Sequence, residues 1–144
     1  MTENIDKAFS KATIKLKKVN EQIDALPRSV VTFLLVYSAQ GVIDNGGYQY
    51  FFEADWPGNP PYSKFIEAYS EIGCEKQSHD IERVVTTFPF ENPHLNERER
   101  VKFIETNYDE DNLEVQGWGE MLCGDNEVWE KLESYYLENI NDFV

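Results

Sequence analysis

Ser29-Val30-Val31-Thr32-Phe33-Leu34-Leu35-Val36-Tyr37-Ser38-Ala39 is the stretch on which the fold turns. It is apolar nearly all round. By propensity alone its β-branched and aromatic residues read as a strand, and by periodicity as a central helix buried on every side. The neighbours decide. Pro27 pre-sets the first turn of a helix, the flanking segments are helical in pattern, and no partner strand is evident. A buried helix closed by Gly41 follows, and with it an all-α fold: one compact domain over residues 1–144, of about seven helices.

Upstream, Ile5, Phe9, Ala12, Leu16, Val19, Ile23 and Leu26 recur at alternating spacings of four and three. This heptad-like stripe predicts one amphipathic helix over residues 1–26. Lys7, Lys11, Lys15 and Lys18 form a basic stripe on another face. The plain reading is a helix packed on its own domain with its lysines solvated. The sharper one is a homodimer seam, or a shield over part of the acidic body, residues 27–144.

Downstream, Asp44-Asn45-Gly46-Gly47 reads as a turn, with glycine supplying backbone closed to other residues. Tyr48, Phe51 and Phe52 then share a helical face. A proline-rich loop, Pro57 to Pro61, separates them from a helix carrying Phe65, Ala68, Tyr69 and Ile72, which Gly73 stops. Ile81, Val84 and Val85 predict a helix from about Glu75 to Phe88. Pro89 to Pro93 is a rigid turn. Asn96 and Glu99 have capping-box spacing for a helix with Val101 and Ile104. Val128, Trp129, Leu132, Tyr136, Ile140 and Phe143 form the core stripe of a final helix capped by Asp125 or Asn126.

Charge is the strongest functional signal. The net charge is −14 over 144 residues. Residues 1–28 hold six Lys/Arg against four Asp/Glu, residues 29–100 five against eleven, and residues 101–144 two against twelve. Self-repulsion of this kind opposes compaction, so the excess suggests a negative surface presented to something. Direct nucleic-acid binding is disfavoured, because phosphate contacts need Lys/Arg. The longest uncharged run, Ser29 to Ile43, is too short and polar for a membrane span, and Met1 to Asp6 is too polar for a signal peptide. Cys74 and Cys123 form no CxxC pair, which fits a cytoplasmic protein with reduced thiols.

No catalytic constellation emerges, so the chain reads as non-enzymatic and without a cofactor. Glu75, His79 and Glu82 have helical spacing that can hold a divalent ion. A second ligand cluster is missing, and a surface histidine screened by its neighbours is the plainer reading. His94 sits in a turn, the cysteines read as small buried groups, and Gly46-Gly47 is no phosphate loop. What remains is carboxylates: Asp109, Glu110, Asp111 and Glu114 in one block, then Glu127, Glu130 and Glu133 on the final helix. On a helix, carboxylates three or four residues apart stand roughly 5–6 Å apart, near the spacing of successive phosphates. Such an array can occupy the Lys/Arg surface of a DNA-binding protein; a merely solvated acidic face is the plainer alternative.

Asp44-Asn45-Gly46-Gly47-Tyr48-Gln49-Tyr50-Phe51-Phe52-Glu53 resembles the Asn-Gly-Gly-aromatic-x-x-Phe signature of an acidic, all-helical bacterial family. That family was formerly a domain of unknown function and takes its name from a DNA-mimic member. Leu26-Pro27, Ala68 to Gly73, and Val128 to Leu132 with Tyr136 extend the resemblance over roughly residues 26–140. It implies an all-helical globule and, for the mimic member, a dimer that binds a transcription factor in place of DNA. Asn45, Gly46, Gly47, Tyr48 and Phe52 then form the structural motif. The stretch Asp109 to Gly124 is longer than the family's usual link, and the first helix is more basic than a uniform mimic needs.

The expectation is a cytoplasmic acidic protein that binds a basic partner through Asp109, Glu110, Asp111, Glu114, Glu127, Glu130 and Glu133. That partner is a transcription factor if the protein mimics DNA. It is a nuclease toxin if the protein is an immunity protein or antitoxin. A metal-dependent protein centred on Glu75, His79 and Glu82 is the third alternative.

Overall fold

The computed structural model describes residues 2–107 and 126–144. Every regular element among them is helical, and they form one domain. The α-helices are α1 (Thr2–Lys18), α2 (Arg28–Glu53), α3 (Tyr62–Glu71), α4 (Glu75–Val85), α5 (Glu97–Asn107) and α6 (Asn126–Glu138). Short 3₁₀ turns lie at Ile23–Ala25, Pro93–Leu95 and Ile140–Phe143. Six α-helices thus stand among the described residues where about seven were expected.

α2 is the axis. Val30, Phe33, Val36, Ala39 and Ile43 are fully buried along it, which explains why its sequence is apolar all round. α1, α3, α5 and α6 all pack against it. Tyr136 and Phe143 meet Phe33 from the C-terminal side, with Phe143 edge-on to both Phe33 and Tyr136, and Leu132 is buried in the same core. A second aromatic group joins Tyr48, Phe51 and Phe52 to Tyr62, Phe65 and Phe88. Edge-to-face pairs of this sort add to what burial alone contributes.

Gly41 does not close the central helix. It lies inside α2, and a Cβ there would meet nothing within 4 Å. Burial of Ala39, Gln40 and Ile43 carries the helical register through it, outweighing a glycine penalty of about 1 kcal/mol. The break falls instead at Gly46 and Gly47, whose non-helical backbone kinks α2 and separates two helical segments where the sequence placed a turn.

The N-terminal stripe is also cut short. α1 ends at Lys18, and Asn20 and Glu21 take positive φ values of 55° and 61°, so residues 1–26 are not one helix. Ile5, Ala8 and Ala12 lie in the shared core, with Phe9 and Leu16 packed against it. The heptad line is therefore used inside the molecule.

Two further boundaries differ, at the end of α4 and at the C-terminus, whereas α5 begins directly after Asn96 as expected. α4 stops at Val85, and Phe88 reaches the core from the turn beyond. The Asn96 side-chain amide donates to the carbonyls of Glu91 and Asn92, both at 3.1 Å, tying α5 to the loop before it. At the C-terminus the tighter 3₁₀ turn changes the period, so Phe143 enters the core and Ile140 is left 40% exposed.

Candidate functional site

α6 is amphipathic, and the residues that bury it also fix where its carboxylates stand. Val128, Leu132 and Tyr136 face the core. Glu127 and Glu130 are exposed, and Glu133 is half-buried at the border with α1. At about 100° per residue, these three span roughly a third of the helix circumference, rising about 4.5 Å at each step. The face is not uniformly negative. Lys131 Nζ pairs with Glu127 Oε1 at 2.9 Å and also donates to the Gly73 carbonyl at 2.6 Å. Asn4 Nδ2 donates to Glu133 Oε2 at 3.3 Å. Glu130 points outward between them. Asp109, Glu110, Asp111 and Glu114, the other proposed contacts, and Asp125, a proposed cap, lie outside the described residues. Asp142 stays exposed and accepts a hydrogen bond from the Ser29 hydroxyl at 2.7 Å.

α6 is tied to α2 just before the glycine kink. Trp129 Nε1 donates to Asp44 Oδ2 at 2.8 Å. The other oxygen of Asp44 accepts from Gln40 Nε2 at 2.8 Å, and Gln40 Oε1 accepts from Tyr69 at 2.9 Å. One polar chain thus runs from α6 through α2 to α3. Gln40 and Tyr69 are fully buried, where an unpaired polar group would be costly. Burial, with minor contributions from Cys74 and Asp44, pushes the Tyr69 hydroxyl well above its ordinary range, so it stays a donor.

Each residue of the Asn-Gly-Gly motif has a distinct task. Asn45 Nδ2 donates to the Gly41 carbonyl at 2.9 Å, satisfying the helix end before the kink. A Cβ on Gly46 would overlap the exposed ring of Tyr50. Gly47 has φ 68° and ψ −167°, a conformation open essentially to glycine alone. The kink then aims Tyr48 and Phe52 inward, both fully buried. Tyr48 reaches Asp80 at 3.5 Å, the outer limit for a hydrogen bond. Burial first, and Asp80 second, hold its hydroxyl far above the usual tyrosine range. These residues support the fold beneath the acidic face and are not on it.

Two polar clusters went unseen in the sequence. Arg100 is 1% exposed and caps the end of α2, donating to the carbonyls of Phe52 at 2.8 Å and Ala54 at 3.2 Å. It also pairs with Asp55 Oδ1 at 2.8 Å. Hydrogen bonds from Glu97 and Arg100 lower the Asp55 carboxyl, while sharing that proton with Asp55 raises Glu97. The second cluster is a clasp around Glu71. Thr32 and Tyr135 donate to one oxygen at 2.6 and 2.7 Å, and Arg28 pairs with the other at 2.8 Å. Burial alone would raise this carboxyl, but the hydroxyl donors and Arg28 prevail and lower it. A cavity of about 310 Å³ opens beside it, lined in part by Arg28, Val31, Leu35 and Lys64. Neither cluster has a periodic signature, since each joins residues far apart in the chain.

The metal alternative finds little support. Ser70 donates to Glu75 at 2.7 Å, and His79 and Glu82 are exposed on α4. Among the described residues no three His, Cys, Asp or Glu side chains converge to hold an ion, nor is any helix long and apolar enough to cross a membrane.

A protein-family model described as DMP19-like protein matches residues 24–143. The matched span takes in the central helix, the glycine kink and α6, and leaves α1 outside. No curated protein and no solved structure matches the chain.

Proposed function

This chain belongs to the DMP19-like protein family, and on that footing we propose that it is a cytoplasmic, non-enzymatic protein that binds a basic protein through an acidic face. The observation that carries the reading is the placement of Glu127 and Glu130. Both are exposed on a helix whose angle is held by the Trp129–Asp44 hydrogen bond. Preset carboxylates of this kind complement the Lys/Arg surface of a partner without a further ordering cost. DNA mimicry is the finer form of the proposal: the partner is a DNA-binding protein, and Asp109, Glu110, Asp111 and Glu114, which precede α6 in the sequence, join Glu127 and Glu130 in the contact.

The test is affinity capture from the native cytoplasm at low salt, followed by titration of the identified partner over a range of salt. Affinity is expected to fall steeply with salt, because charge pairs at an exposed face are screened. Replacing Glu127 and Glu130 together with lysine is expected to weaken binding roughly tenfold or more. An affinity that is the same at low and high salt would overturn the proposal. A nuclease in place of a transcription factor would replace DNA mimicry with toxin inhibition and leave the basic-partner reading intact.

A further inference from the structure

Lys64 and Glu67 are exposed charges that neither the core nor the acidic face uses. With Ala68 and Glu71 they follow at spacings of three and four, so all four share one face of α3. That face lines the cavity of about 310 Å³ beside the Glu71 clasp, together with Val31 and Leu35 of α2. A second cavity of about 190 Å³ lies against the proline-rich loop and also has Val31, Leu35 and Lys64 in its lining. The two adjoin along these shared residues and form one cleft, in the size range of small-molecule sites.

The charges of the cleft fall into two groups. Arg28 and Glu71 are engaged with each other, and the second oxygen of Glu71 is taken by Thr32 and Tyr135. Lys64 and Glu67, by contrast, enter no ion pair among the described residues. Lys64 stands in the first turn of α3, whose N-terminus has no side-chain cap, so the helix dipole adds to its positive potential. Glu67 lies one turn further on, and Asp24 edges the proline-rich end. Between these charges the lining is aliphatic: Val31 and Leu35, one turn apart on α2, with Ala68 of α3.

We propose that this cleft binds a free α-amino acid with an apolar side chain. The carboxylate of the ligand meets Lys64 at the uncapped end of α3, its ammonium meets Glu67, and its side chain lies on Val31 and Leu35. A plain anion of the same size faces repulsion from Asp24 and Glu67, and a plain cation from Lys64 and Arg28. A zwitterion answers both signs. An α-amino acid carries its two charges on one carbon, which suits a lysine and a glutamate one helical turn apart, roughly 5–6 Å between their Cβ atoms. The aliphatic lining then selects for an apolar side chain, whose burial removes area from water. The site rests on the geometry of α2 and α3 and is independent of the partner proposed above.

The test is isothermal titration calorimetry on the full chain, with leucine, valine, methionine and phenylalanine as probes. Leucine is expected to bind with a Kd of about 1 mM or tighter. N-acetyl-leucine lacks the ammonium and leucine amide lacks the carboxylate, and each is expected to bind roughly tenfold more weakly. Lys64→Ala and Glu67→Gln are each expected to weaken leucine binding by a similar roughly tenfold. Circular dichroism checks that both variants are folded, as exposed positions allow. The methyl resonances of Val31 and Leu35 are expected to shift on addition of leucine, which places the ligand in the cleft. The proposal is overturned if none of the four amino acids binds at about 10 mM. It is also overturned if either blocked analogue binds as tightly as leucine, or if either variant binds leucine as tightly as the parent. Because no partner protein enters the measurement, its failure is separate from failure of the basic-partner reading.

Discussion

Trp129 and Asp44, 85 positions apart in the chain, are joined by a 2.8 Å hydrogen bond from the indole nitrogen to a carboxylate oxygen. This bond fastens the helix bearing the acidic face to the helix bearing the glycine kink. Trp129→Phe keeps most of the apolar area and removes the donor. A loss of about 1.5–3 kcal/mol is expected, as for a hydrogen bond to a charged group, measured by urea denaturation. If binding depends on the angle of α6, the same variant also weakens the partner complex although it changes no surface charge.

Gly41 and Gly47 are expected to respond in opposite directions. Gly41 is helical with open space at its Cβ position, so Gly41→Ala is expected to stabilise the protein by about 0.4–1 kcal/mol. Gly47→Ala forces a side chain into backbone at φ 68° and ψ −167° and is expected to cost about 1–3 kcal/mol. Chemical denaturation of both variants checks the pair.

Arg100 is buried with four of its hydrogen bonds formed to residues outside α5. Arg100→Met removes the charge and strands the carbonyls of Phe52 and Ala54, at an expected cost of about 3–5 kcal/mol. Arg100→Lys is expected to recover little, because an ammonium lacks the planar fork that reaches several acceptors at once. Thermal denaturation distinguishes the two variants from the parent.

The Glu71 clasp predicts an acid-side loss of stability. The folded carboxyl titrates below its ordinary value of 4.5, so its contribution is complete above that value and is lost as pH falls through the folded pKa. Burial and the Glu71 bond push Tyr135 up to about 12 from 10. Its contribution holds below 10 and is lost as pH rises towards 12. Glu71→Gln is expected to flatten the acid limb of a stability–pH curve, and Tyr135→Phe the alkaline limb. An unchanged acid limb in Glu71→Gln would remove this carboxylate from the explanation.

Much of the fold was legible because it is periodic. The buried face of each described helix follows the spacing of its apolar residues, as with Phe65, Ala68 and Tyr69 on α3 or Val128, Leu132 and Tyr136 on α6. Gly41 and Ile140 misled because local preference yielded to packing. A glycine that suits a helix end stayed helical where buried neighbours on both sides held it. A residue in phase with α6 was exposed once the period tightened beyond Glu138. At the candidate site, the sequence located Glu127, Glu130 and Glu133 but not the bonds from Asn4 and Lys131 that draw two of them aside.

The sequence by itself determined the helical class, the central place of the Ser29–Ala39 stretch, the need for glycine at the kink and the drift of negative charge toward the C-terminus. These are properties of composition and short-range spacing, which act through local backbone preference and apolar periodicity. Only the tertiary structure decided that the heptad line of α1 is used within the core, and that Arg100 and Glu71 bind distant helices. The same holds for the bond from Trp129 to Asp44, which ties the acidic helix to α2 just before the kink. Those outcomes rest on contacts between residues tens of positions apart, and no local pattern encodes which buried donor will meet which acceptor.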